Sequence, residues 1–388
     1  NYTIGGTNPD FSTINEGITA LNYGGICDSV IFNIAPGDYY EEIYLNSIQG
    51  NSTYNPIIFQ SSTGDSSDVN IFHLLTSNAL VTLNGANYIT FRNLGFQIGS
   101  GSSIGKLFQV NSSSSYINIE NNLLTGSSTG STGTENALIY SSTGANDYIK
   151  VRNNRFENGS YGVYFYGSSS TSSYCDYFTL DGNLFRNQTI RGIELKYHYY
   201  SDIRNNYFET NTNESSFQFI HLNYCNYSDI IHNDIRYTGT SSMSSSYAIY
   251  LYYCNYSFNI EKNTVFYGSN SGRYGIYLYE SENGKIANNM IQLGYNSSSY
   301  CVYMYYSDYC DFYYNTFKLT SSSSSGSVFY MRDSYYINSK NNIFYNSGSG
   351  YAYYLYNYYS SFFTSSDNNC FYTNGSYPVY TSSNQTFS

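Results

Sequence analysis

The sequence predicts an all-β fold: a right-handed, single-stranded parallel β-helix solenoid of about a dozen coils with a short N-terminal capping helix. Three observations predict it: one pattern recurs through most of the chain, the segments between its copies read as strands too short to fold alone, and an amphipathic helix precedes the first of them. The pattern is an apolar residue, two variable residues, Asn, one variable residue and a second apolar residue. It runs through Ile119…Asn122…Leu124, Val151…Asn154…Phe156, Leu180…Asn183…Phe185, Ile203…Asn206…Phe208 and Ile230…Asn233…Ile235. Ile260…Asn263…Val265, Ile286…Asn289…Ile291 and Phe312…Asn315…Phe317 follow, with weaker copies at Asn342…Phe344 and Asn369…Phe371. In an early copy, Phe91…Phe96, the Asn comes one place sooner, at Asn93. The step is roughly 23 to 32 residues, a period that signals stacked repeats. Residues 1–388 therefore read as one solenoid domain, with 1–25 a cap region and 26–388 the coils.

At the N-terminal end, Phe11, Ile14, Ile18 and Leu21 fall at helical spacing, Thr13 and Glu16 form a capping box, and Gly24-Gly25 stops the helix. Such a helix covers the open end of a solenoid core. Val30–Ile34 reads as a strand, Pro36-Gly-Asp as a turn leading into a second strand to Leu45, and Ile57–Phe59 and Val69–Phe72 as the next two. Further on, each repeat carries three short strands, as in Tyr247–Tyr252, Phe258–Ile260 and Thr264–Phe266, and Ser-rich turns of uneven length separate the repeats. Each strand must pair in parallel with its copy one repeat away.

Composition removes several functions. Charged residues make up 11%, the net charge is −11, and 52 Tyr stand beside no Trp. Without a basic footprint, nucleic acid is not an expected partner. No apolar run is long enough for membrane insertion. The seven Cys include no C-x-x-C pair and no zinc spacing. No metal or cofactor is expected. Beginning at Asn1 with no Met and no signal peptide, the sequence reads as a mature or excised piece.

Stacked in register, Asn122, Asn154, Asn183, Asn206, Asn233, Asn263, Asn289, Asn315, Asn342 and Asn369 form a structural ladder at one corner, where Asn tolerates left-handed backbone and bonds its copies above and below. Cys225 and Cys254 hold matching places in consecutive repeats, close enough for a disulfide; two buried thiols are the alternative. N-glycosylation sequons at Asn51, Asn111, Asn158, Asn187, Asn213, Asn226, Asn255, Asn296 and Asn374 are possible sites, but in a chain this rich in Asn, Ser and Thr, chance yields comparable numbers.

Period-two alternation points Ile249 and Leu251 inward and Tyr250 and Tyr252 outward. Carried along the repeats, it places Tyr164, Tyr250, Tyr277, Tyr303, Tyr330 and Tyr354 in one outer track, and Tyr166, Tyr252, Tyr279, Tyr305 and Tyr356 in another. The tracks lapse at Glu194, Lys196 and His221, with Arg191 and His198 nearby. A carboxylate beside an imidazole can do acid–base work, which makes these three the candidate catalytic residues; an exposed ion pair is the plainer reading.

The Asp10-Phe-Ser-Thr-Ile-Asn-Glu-Gly-Ile18 segment, the Pro36-Gly-Asp-Tyr-Tyr-Glu-Glu-Ile43 segment and the Asn-punctuated coils resemble right-handed parallel β-helix proteins of the pectate-lyase-like type. More narrowly, they resemble the β-helix regions of large secreted surface proteins of environmental bacteria. A lyase of that type would carry an Asp/Glu cluster for Ca²⁺ with an Arg or Lys base, and a polygalacturonase closely set Asp residues with Gly-His-Gly; the sequence has neither arrangement. The expectation is an extracellular structural protein that self-associates, head to tail or laterally, or adheres through its Tyr-lined face. The alternative is a carbohydrate-binding or polysaccharide-degrading β-helix with glycan partners.

Overall fold

The computed structural model describes residues 1–128, 133–142, 144–268, 271–294, 298–321, 323–357 and 359–381. The chain is an all-β parallel solenoid of about 14 turns, slightly more than the dozen expected. It divides into two compact units, residues 1–189 with 197–199, and residues 190–196 with 200–388.

In the first unit the helix spans Ile14–Gly24 and buries Ile14, Ile18 and Leu21. Thr13 is its N-cap, with Oγ1 accepting from the Glu16 amide at 3.1 Å. The capping box is displaced by one residue: the Glu16 carboxylate accepts from Ser12 instead of Thr13. The Glu41 carboxylate takes the free amides of Ile14 and Asn15, both at 2.9 Å, placing a negative charge on the positive end of the helix. This use of Glu41 accompanies a break in the expected second strand, which is two strands, Gly37–Tyr40 and Ile43–Asn46. Three parallel sheets then build up. One runs Tyr2–Ile4, Val30–Ile34, Ile57–Ser61, Asn87–Arg92, Ser115–Glu120, Lys150–Arg152 and Thr179–Asp181 in neighbouring order. In-register pairing stacks Phe32 on Phe59 and Phe59 on Phe91 in the core, at 5.0 and 5.2 Å between centroids.

The second unit repeats the plan with fewer interruptions. Its first sheet contains Gln218–Asn226, Tyr247–Tyr252, Tyr274–Tyr279, Tyr300–Tyr305, Ser327–Arg332 and Tyr351–Tyr356. Pairs such as Ile249↔Ile276, Ile276↔Val302 and Val302↔Phe329 are in register, and all four side chains are fully buried. A row of like side chains spaced by one strand separation fills the core, so the burial of each coil depends on its neighbours.

Candidate functional site: a tyrosine-paved sheet and its buried ladders

The first sheet of the second unit turns its inner residues to the core and a field of Tyr to the outside. Registers Tyr250↔Tyr277↔Tyr303↔Tyr330↔Tyr354 and Tyr252↔Tyr279↔Tyr305↔Arg332↔Tyr356 make the two predicted tracks. A third row, Tyr247, Tyr274, Tyr300 and Tyr351, was hidden from period-two reasoning, because Tyr247 and Tyr250 are an odd number of residues apart. The strand bends at Ala248, so that Ala248 and Ile249 are both buried and Tyr247 joins the outer side, its ring 4.8 Å from that of Tyr250. Small residues at the bend, Gly275 in the next coil, were the available signal: a Cβ there would lie 2.5 Å from the Cys301 carbonyl.

The rings stack along the rows. Tyr277 and Tyr303 lie 4.8 Å apart at 8°, Tyr303 and Tyr330 4.5 Å at 7°, Tyr330 and Tyr354 5.1 Å at 16°, and Tyr247 and Tyr274 4.8 Å at 11°. Arg332 replaces a ring in its row, with its guanidinium 4.8 Å from the Tyr305 ring and 4.7 Å from that of Tyr356. From Tyr277 to Tyr354 the ring faces are therefore occupied by neighbours, whereas Tyr250 meets Tyr277 edge to face at 77° and Tyr279 meets Tyr305 edge to face at 68°. Burial pushes the Tyr274 phenol up to about 12 and that of Tyr277 further still, so both stay protonated at physiological pH. In the first unit the corresponding sheet carries Tyr140 and Tyr164 stacked at 5.4 Å, and Tyr164 on Tyr166 at 4.2 Å.

Within the second unit the structure brings Glu194 and His221 together on the outer side of its first sheet, but it buries them, leaving 3% and 6% exposed, which corrects the expectation of an exposed ion pair. Arg191 Nη1 pairs with Glu194, and His221 Nδ1 lies 3.7 Å from Glu194 Oε1. The imidazole stacks on Tyr250 at 4.7 Å and 10°. Burial, reinforced by the positive charges of Arg191 and Lys196, holds His221 well below the usual histidine range, and it is neutral. His198 is remote from this chemistry: it points into the core of the first unit, with Nε2 3.1 Å from the Phe165 carbonyl, and burial lowers it to about 4.

Beneath the sheets run two buried polar ladders. In the first unit, Asn122 donates to Asn154 Oδ1 and Asn154 to Asn183 Oδ1; in the second, the chain of bonds passes from Asn206 through Asn233, Asn263, Asn289, Asn315 and Asn342 to Asn369. Each rung uses the backbone amide as well, as in Asn263 N to Asn289 Oδ1 at 3.0 Å. The ladder Asn are not the residues with left-handed backbone. The preceding residue takes that conformation (Asn121, Asn153, Asn205, His232, Lys262, Asn288, Tyr314, Asn341, Asn368), which aims the ladder amide inward. Asn93 obeys the same rule with φ 57°, so Leu94 stands in the ladder position and offers only its backbone amide to Asn122.

A separate serine ladder in the second unit begins at one of the cysteines. Cys254 N donates to Ser281 Oγ, Ser281 N to Ser307 Oγ and Ser307 N to Ser334 Oγ, at 2.9–3.1 Å. Cys225 and Cys254 are free, buried thiols, not a disulfide. Each Sγ is turned to a carbonyl of the preceding coil, Cys225 to Leu195 and Cys254 to Leu222, and burial raises the Cys254 thiol to about 12. Among the sequons, Asn226 is buried and its Oδ1 accepts from the Asn255 amide at 3.1 Å. Asn296 lies outside the described residues. Among the described residues no group of His, Cys, Asp or Glu is arranged to hold a metal ion, and no helix is long and apolar enough to cross a membrane.

Residues 136–317 match the family described as the right handed beta helix region. That match covers just under half of the chain, and the strand registers show the same parallel β-solenoid architecture on both sides of it. No reviewed protein sequence is similar enough to the chain to count as a relative. Similar solved structures include PfbA, a surface adhesin of Streptococcus pneumoniae, at 14% identity, covering 84% of this chain and 87% of that one with a TM-score of 0.49. The Azotobacter vinelandii mannuronan C-5 epimerase AlgE4 A-module matches at 12% identity, 95% and 92% coverage and a TM-score of 0.49. The GH136 lacto-N-biosidase from Eubacterium ramulus matches at 11% identity, 98% and 67% coverage and a TM-score of 0.47. At such identities and scores they carry no argument about activity.

Proposed function

We propose that the chain is an extracellular structural β-helix protein that associates laterally with further copies of itself through the tyrosine-paved sheet. The observation that carries this reading is the geometry of the Tyr rows. Rings repeat every coil, at spacings of 4.5–5.1 Å from Tyr277 to Tyr354, so only a partner with the same period can seat against every rung. A second copy has that period by construction, and interdigitation of like rows is the packing of a dry zipper between sheets. The face is also nearly free of net charge, so two copies meet without repulsion; Tyr offers rigid contact area with a polar tip.

Stacking of sugars on the row from Tyr277 to Tyr354 is less well supported, because the ring faces a sugar would need are covered there by neighbouring Tyr. The burial of Glu194 and His221 and the pairing of Glu194 with Arg191 support a positioning role over acid–base catalysis. Sedimentation velocity over a wide concentration range tests the proposal. Wild-type protein is expected to show concentration-dependent association that Tyr277→Lys abolishes without altering the circular dichroism spectrum. A wild-type chain that stays monomeric at high concentration, or a variant that associates equally well, overturns it.

A further inference from the structure

A second Tyr row, outside the paved sheet, lies on the first unit. Tyr88, Tyr116, Tyr148 and Tyr177 each have left-handed backbone, φ 54–58°, at the residue where a coil turns into its next strand. Non-Gly residues pay a cost in this conformation, and four aromatic residues accept it in succession. Their rings form an unbroken stack: 4.5 Å and 9° between Tyr88 and Tyr116, 4.5 Å and 5° between Tyr116 and Tyr148, 4.9 Å and 14° between Tyr148 and Tyr177. Unlike the half-buried Tyr of the sheet, Tyr116, Tyr148 and Tyr177 are 40%, 36% and 44% exposed. Tyr88, Tyr116 and Tyr148 line a groove of about 440 Å³ together with Thr53, Pro56 and Ile58. The exposed ring edges there are open to an oxidant.

We infer that this row is a site of oxidative tyrosine coupling, in which neighbouring phenols on successive coils are joined by a carbon–carbon bond. Hydrogen peroxide, acting through a haem peroxidase, is the oxidant. Two phenols each give up one electron and one proton, and the peroxide takes both pairs to become two waters. The resulting phenoxyl radicals join through ring carbons ortho to oxygen, and the displaced ring hydrogens move to the oxygens, restoring both hydroxyls. Stacking holds the partners beside one another before either radical forms, so coupling within the chain precedes encounter with another molecule. Each link ties coils about thirty residues apart in sequence, closing a loop that the unfolded chain would otherwise leave free.

The test is peroxidase and hydrogen peroxide treatment of the full chain at low concentration, followed by proteolysis and tandem mass spectrometry. The expected products are cross-linked peptides joining Tyr116 to Tyr148 and its stacked neighbours, in a ratio to monomer independent of protein concentration. Tyr148→Phe should remove the Tyr116–Tyr148 and Tyr148–Tyr177 links and retain Tyr88–Tyr116. Absence of these links in oxidised wild-type protein, links formed only between molecules, or coupling distributed over all Tyr pairs without preference for this row overturns the inference. The wild-type peptide map decides the matter even if the variant does not fold.

Discussion

Removing one rung of the Asn ladder tests whether the buried amides hold the coils together. Asn289 donates through Nδ2 to the Ile260 carbonyl at 2.7 Å and to Asn315 Oδ1 at 3.0 Å, and its Oδ1 accepts from both the amide and the side chain of Asn263, each at 3.0 Å. In Asn289→Ala, Asn263 Nδ2 keeps the Ile230 carbonyl, and Asn315 Oδ1 keeps the backbone amide of residue 289. The Asn263 N–H and the Ile260 carbonyl lose those partners inside the core. A buried polar group left unpaired costs about 1–3 kcal/mol, so the pair costs about 4 kcal/mol, or about 2 kcal/mol if water fills the vacated space. At tenfold per ~1.4 kcal/mol, that is roughly a 30- to 700-fold loss of protection from hydrogen exchange in the flanking strands Phe258–Glu261 and Gly284–Ala287. Asn259→Ala is the control, because its 2.7 Å bond to Asp229 lies on the outer side of the sheet and should change protection only slightly. If the flanking amides of Asn289→Ala keep their protection within about threefold, the ladder is not what binds one coil to the next.

Other perturbations follow from the same packing. His198 has a folded pKa of about 4, below the ordinary ~6.5, so between those values the unfolded chain takes up a proton that the folded one refuses. Stability is full above pH 6.5 and should fall by about 1.4 kcal/mol per pH unit down to pH 4; urea midpoints measured against pH should show a shallower slope in His198→Gln. Mass-tagging of native protein with maleimide should label Cys27 and Cys370, while Cys175, Cys225, Cys254, Cys301 and Cys310 react only after denaturation. Glu194→Ala strips the carboxylate from Arg191 in a mostly buried site and should cost about 2–3 kcal/mol by denaturant titration, against under ~1 kcal/mol for Lys285→Ala at the partly exposed Glu261 pair.

The amino-acid sequence by itself determined the coil, its period, the inner residues and the identity of the Asn column. Each of these is a spacing along the chain, and in-register parallel stacking converts equal spacing into spatial columns. Tertiary structure alone decided whatever depends on backbone torsion or on what lies above a side chain. The left-handed residue is the one before each ladder Asn, a one-place offset that composition does not reveal because Asn, His, Lys and Tyr all fill it. The bend at Ala248 moves Tyr247 to the outer side, the serine ladder claims Cys225 and Cys254 as buried thiols, and burial removes the charge from His221. Stacking of the Tyr rings belongs to the same class: repetition places the residues in rows, but only the packing of each ring on its neighbour decides that Tyr277 to Tyr354 stack face to face while Tyr250 meets Tyr277 edge on.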